Sequence, residues 1–147
     1  METFFDSGAL IKVYVEEDGT DHVVRLVEQC RQVPLPPLVE LEIRNALRAL
    51  KGRKRLSKKG LDERLQWMDS DIQEGRLMRT FPEPARIQEI AEDLSSRHTS
   101  TILCRALDIL HVSAAACLGC TVFVTGDARQ FRLAKAAGLN AVNLFKV

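Results

Sequence analysis

Short apolar runs alternate with longer helical patterns along the whole chain, and this alternation restricts the fold more than any other feature. Residues 3–5, 32–35, 77–81, 121–125 and 140–145 read as strands. The stretches 7–17, 20–31, 37–51, 57–74, 84–97, 107–118 and 128–137 instead repeat apolar residues at helical spacing. A strand followed by a helix and another strand pairs in parallel, because parallel neighbours need a crossover long enough to hold a helix. The expectation is an α/β fold, a three-layer α/β/α sandwich with a central parallel sheet. No repeat, low-complexity tract or linker divides the 147 residues, and a 46% hydrophobic content supplies one core, so 1–147 is read as a single domain.

Four acids interrupt this apolar pattern: Asp6, Glu42, Asp108 and Asp127. Asp6 follows the strand at 3–5 and Asp127 follows the strand at 121–125, so both fall just past a strand's carboxyl end. Ligands bind at that edge of open α/β sheets. Each also reads as an N-cap, since aspartate accepts well from the free N–H groups of a helix start. Glu42 shares its helix with Glu40. At about 100° per residue Glu42 projects among Leu38, Val39, Ala46 and Ala49, whereas Glu40 projects beside Arg44, Leu47 and Lys51. Glu42 is therefore expected to face inward and Glu40 to be solvated. Asp108 lies in a helix apolar nearly all round, where pairing with Arg105 is the structural alternative. One shared cation accounts for all four acids at once, because a carboxylate is costly to bury unless positive charge meets it.

Carboxylates alone suit a hard ion such as Mg2+ or Mn2+ and suit zinc poorly. An ion of that kind activates water toward a phosphodiester without a histidine base. Thr125 and Ser7, next to the acids, are placed to support the site, with capping as their other reading. His111, one turn after Asp108, reads either as a support for the site or as a satisfied core histidine. Arg53, Lys54 and Arg55 sit in a dense basic stretch between the helices at 37–51 and 57–74, which reads as a solvated connection or as an RNA phosphate contact.

Other classes are excluded or disfavoured. There is no nucleophile elbow, no phosphate-binding loop ending in Lys-Ser/Thr and no dinucleotide fingerprint after the first strand. Cys30, Cys104, Cys117 and Cys120 do not form a disulfide framework. The Cys117–Cys120 pair lies at a helix C-terminus, where the dipole does not activate a thiol, so free thiols are expected. The net charge of +1 announces no polyanionic partner, and no apolar run approaches a membrane span, so a cytoplasmic protein is expected.

Four segments, in order and spacing, resemble the motifs of the PIN domain. They begin Phe5-Asp6-Ser7-Gly8-Ala9-Leu10, Glu42-Ile43-Arg44-Asn45, Leu107-Asp108-Ile109-Leu110-His111 and Thr125-Gly126-Asp127-Ala128. The resemblance is to the VapC-type toxins of toxin–antitoxin pairs. It implies strand order 3-2-1-4-5 and a magnesium- or manganese-dependent endoribonuclease. It also implies metal ligands at Asp6, Glu42, Asp108 and Asp127, supported by Thr125, together with a homodimer and a small antitoxin as partner. Arg129 and Gln130 stand where many members carry a further acid or polar ligand. The other readings are a non-cleaving PIN-fold module that binds RNA or protein, and a metal-dependent phosphohydrolase or DNA nuclease.

Overall fold

The computed structural model describes residues 1–145. In chain order the elements are β1 (Thr3–Phe5), α1 (Ser7–Leu10) running into a 310 turn (Ile11–Val13), α2 (Thr20–Glu28), β2 (Val33–Leu35) and α3 (Pro37–Gly52). They continue with α4 (Lys58–Gln73), β3 (Leu77–Arg79), α5 (Pro84–Ile102), α6 (Ala106–Cys117), β4 (Val122–Thr125), α7 (Ala128–Ala136) and β5 (Asn140–Asn143). Every strand pair is parallel: β1 with β4, β4 with β5, and β2 with β3.

β2 lies beside β1, giving the expected order β3-β2-β1-β4-β5, but no hydrogen-bonded ladder joins those two strands. Pro34 gives a physical reason. The Val33 N–H donates to Arg76 and the Leu35 carbonyl accepts from Thr80, so both face β3. The position between them faces β1, and proline has no N–H to offer there.

The central strands bury both of their faces, as parallel strands between helix layers do. Phe4, Phe5, Phe123 and Val124 are fully buried, and the Phe4 and Phe123 rings stack at 5.4 Å between centroids. From α3, Val39, Ile43 and Leu47 complete a buried stripe. α6 buries Ile109, Val112, Ala114 and Ala115 but is not enclosed all round as its composition implies, since Leu107 in its first turn is half exposed. Trp67 on α4 stays half exposed, its ring meeting Tyr14 edge-on.

Several boundaries differ from expectation. The helix expected over 7–17 tightens to 310 geometry after Leu10, and α5 continues to Ile102 rather than stopping at 97. β3 ends at Arg79, leaving Phe81 out in solvent, and β5 ends at Asn143. The cysteines are free, and no described helix is long and apolar enough to cross a membrane.

Candidate active site

The carboxyl ends of β1 and β4 are adjacent because the two strands pair in register from Thr3 opposite Val122 to Phe5 opposite Val124. The Asp6 N–H then donates to the Val124 carbonyl at 3.1 Å, which carries Asp6 one step past the strand and next to Thr125. Its Oδ1 accepts from the Ala9 N–H at 2.6 Å, capping α1, and its Oδ2 accepts from the Thr125 hydroxyl at 2.7 Å. Asp6 is thus the N-cap of α1 through one oxygen, while the other stands at the strand edge beside Thr125. Asp6 is only 7% exposed. Burial pushes its carboxyl up to about 6, against the two hydrogen bonds and the His111 ring, with the Asp108 charge adding to the rise.

Asp127 is the N-cap of α7, its Oδ1 accepting from the N–H groups of Arg129 at 2.8 Å and Gln130 at 3.0 Å. Asp108 stands in the first turn of α6. The Arg105 side chain, its partner in the structural alternative, makes no ion pair with it; Asp108 Oδ2 accepts instead from the Arg105 backbone N–H at 3.3 Å. Burial raises its carboxyl above the ordinary value. The Arg105 N–H opposes this and the nearby Asp127 charge adds to it.

Asp6, Asp108 and Asp127 line one open cleft of about 360 Å³, together with Ser7, Gln130, Lys12 and Phe145. Glu42 is not part of that lining. It faces inward as expected but pairs with Nε2 of the buried His111, and that contact, ahead of the opposing effect of burial, holds its carboxyl below the usual range. The Ser7 hydroxyl also bonds Glu42, and His111 lies near Asp6 and Asp108 as well, so these two residues link Glu42 to the cleft. Among the described residues, no three acid, histidine or cysteine side chains already stand gathered as a metal cage. The donor chemistry still fits a hard divalent cation. Three carboxylates from three elements share a cleft, and the ionised forms of two of them are disfavoured by burial and by a neighbouring carboxylate's charge, which a cation would relieve.

Glu40 departs from its expected solvation. Its side chain is 16% exposed, less than the 29% of Glu42, because it bridges Arg44 on its own helix and Arg79 on β3. Arg53, Lys54 and Arg55 are exposed in the α3–α4 connection and do not line the cleft. At 1.5 Å per residue, Arg53 lies roughly 16 Å along the helix axis from Glu42.

Two further residues at the cleft are given no role in the site by the sequence reading. Gln130 is buried, with Oε1 at 2.8 Å from the Thr125 hydroxyl and Nε2 donating to the Asp108 carbonyl at 3.4 Å, so it ties α7 to β4 and α6. Lys12, 8% exposed, carries the one basic side chain in the lining. A lysine inside an apolar helical run was the available signal for the second. For Gln130 the mark was its position after Asp127, where the motif resemblance sets a further acid or polar ligand in many members.

The PIN domain family model matches residues 3–136. The chain belongs to the PIN domain family. PIN domains are generally nucleases. Among solved structures, the chain is similar to VapBC2 from Rickettsia felis bound to a DNA fragment from their promoter, with 14% identity, a TM-score of 0.66, and coverage of 97% of this chain and 98% of that one. It is also similar to FitAcB from Neisseria gonorrhoeae, with 15% identity, a TM-score of 0.67 and 99% of both chains covered. A protein from Pyrobaculum aerophilum gives 16% identity and a TM-score of 0.59, with 98% of this chain and 90% of that one covered. At such identities the similarity concerns the fold. No curated protein matches the chain.

Proposed function

We propose that this PIN domain is a divalent-metal-dependent endoribonuclease and the toxin half of a toxin–antitoxin pair. The observation that carries the reading is the shared cleft of Asp6, Asp108 and Asp127 at the carboxyl edge of the sheet, where burial and mutual repulsion raise the carboxyls of Asp6 and Asp108. Asp6, Asp108 and Asp127 would hold magnesium or manganese, with Glu42 supporting them through Ser7 and His111. Bound there, the ion supplies Lewis acidity toward a phosphodiester oxygen and acidifies water.

The chain's own groups do the positioning. The Ala9 N–H and Thr125 hydroxyl fix both oxygens of Asp6, and the start of α7 fixes Asp127. Gln130 holds Thr125 and the α6 backbone at a constant separation. An orienting network of this kind keeps ligands in place before the substrate arrives. The similarity to VapBC2 and FitAcB supports an antitoxin protein as partner, and a homodimer as the working assembly comes, like the substrate, from the motif resemblance. RNA as the substrate comes from the motif resemblance to VapC-type toxins.

One observation favours a second reading, a PIN module that binds RNA without cutting it: His111 already occupies Glu42. The test is incubation of single-stranded RNA, and in parallel single- and double-stranded DNA, with the purified chain in magnesium, manganese or chelator. RNA fragments that need metal and disappear in Asp108→Asn support the nuclease. DNA cleavage alone moves the assignment to a DNA nuclease, and intact RNA in every metal gives the non-cleaving module.

A further inference from the structure

The cleft that holds the three aspartates is walled on one side by an aromatic ring and a cation, and neither has a part in holding metal. Phe145 is 46% exposed and is the aromatic residue in the lining, and Lys12 is its basic one. The Lys12 Nζ lies 5.2 Å from the Phe145 ring centroid and is fixed at 2.9 Å from the Glu17 carboxylate. Two glycines make a seat for the ring. A Cβ on Gly126 would stand 2.8 Å from it, and one on Gly19 would stand 3.2 Å away. Gly126 immediately precedes Asp127, so the ring sits against the backbone that presents a cleft carboxylate.

The ring is not needed to anchor this end of the chain. Leu144, nearly buried, donates its N–H to the Thr125 carbonyl at 3.0 Å, and the Phe145 N–H is taken by the Asn143 side chain at 3.0 Å. A half-exposed aromatic ring already held in place loses little freedom when a flat partner stacks on it. Nucleobases stack on such rings without regard to sequence, and unpaired strands are recognised that way.

We propose that Phe145, seated on Lys12, is the surface on which the nucleobase beside the scissile phosphate stacks. Lys12, itself held by the Glu17 carboxylate, steadies the ring from one side. The proposal rests on the RNA-cleavage reading and adds a base-binding subsite to it.

The test uses the Asp108→Asn chain in magnesium with fluorescein-labelled single-stranded RNA pentanucleotides, one intact and the others each lacking a single base, read by anisotropy. Phe145→Leu, which keeps an apolar side chain without a ring face, is expected to weaken the intact strand about tenfold, whereas Phe145→Trp holds within about threefold. One of the base-deleted strands should lose about the same factor with Phe145 present and nothing more in Phe145→Leu. That non-additivity separates stacking from a packing defect, which would lower binding of every strand alike. Equal binding of the intact strand by the Phe145 and Leu chains, or an equal loss with every strand, overturns the subsite. Should the Phe145 chain bind none of these RNAs, the RNA-cleavage reading falls, and the subsite falls with it.

Discussion

Asp6 sets stability against chemistry. Its carboxyl ordinarily titrates at 3.8 and is raised to about 6 in the folded chain, so between those values the native state holds more protons than the unfolded one. Stability then falls as pH rises through that window, by roughly 3 kcal/mol if the whole shift is expressed. Glu40 and Glu42, whose carboxyls are held down, contribute in the opposite sense, and their contribution is lost only at lower pH. In chelator, urea unfolding should therefore show the wild type more stable at pH 5 than at pH 7. Asp6→Asn should flatten that difference and gain roughly 1–3 kcal/mol at pH 7. An amide suits the local bonds. The Thr125 hydroxyl has one hydrogen and two acceptors in reach, Asp6 Oδ2 and Gln130 Oε1, and an amide N–H at position 6 releases that hydrogen to Gln130. Millimolar magnesium should stabilise the wild type and leave Asp6→Asn unmoved. The two α3 acids should also separate. Glu42→Gln should lower cleavage at least tenfold and, by weakening the contact with buried His111, also cost about 1 kcal/mol of stability. Glu40→Gln, which breaks the bridge to Arg44 and Arg79, should cost about 1 kcal/mol of stability and leave cleavage within a few-fold. Equal cleavage losses would place both acids in the same role.

At the scale of elements, what the sequence made legible was set by neighbours close along the chain. Strand-to-helix junctions put Asp6 and Asp127 at the sheet edge because a short apolar run followed by an Asp and a helical pattern leaves few other arrangements. Contacts between distant segments left no such mark. The pairing of His111 with Glu42 spans 69 positions, and that of Tyr14 with Asp71 spans 57. The end of α5 shows a different limit. The polar stretch Arg97-His98-Thr99-Ser100-Thr101 resembles a loop, and no glycine marks the helix stop. The chain instead forces Leu103 into a left-handed conformation with φ of 60° while leaving it exposed. A leucine pays a steric penalty there that glycine avoids. Leu103→Gly should therefore raise the unfolding free energy by about 0.5–1 kcal/mol in a denaturant titration, despite the extra freedom of the unfolded chain. A loss of more than that amount would mean the Leu103 side chain has packing that its exposure does not show.

Across the whole molecule the charges nearly cancel, 21 basic against 20 acidic, yet they are not spread evenly. Three carboxylates crowd the cleft at one end of the sheet, whereas Arg53, Lys54 and Arg55 project from the α3–α4 connection at the far end of α3. A phosphate chain is repelled by the first region and drawn by the second, so a strand long enough to reach from one to the other can rest on the basic turn while its scissile bond lies among the acids. A surface ion pair does not consume this charge: Arg53, Lys54 and Arg55 form none among the described residues, in contrast to Lys58 and Lys59, which pair with Asp62 and Glu63 one turn on. Each phosphate contact to a single strand contributes about 0.7 to the slope of log affinity against log salt. Replacing Arg53, Lys54 and Arg55 together by alanine should therefore reduce that slope by up to about 2 for a strand of ten or more nucleotides bound to the Asp108→Asn chain. A trinucleotide, too short to reach the turn, should show no change. If the long strand also keeps its slope, the basic stretch is a solvated helix connection and the substrate leaves the cleft in another direction.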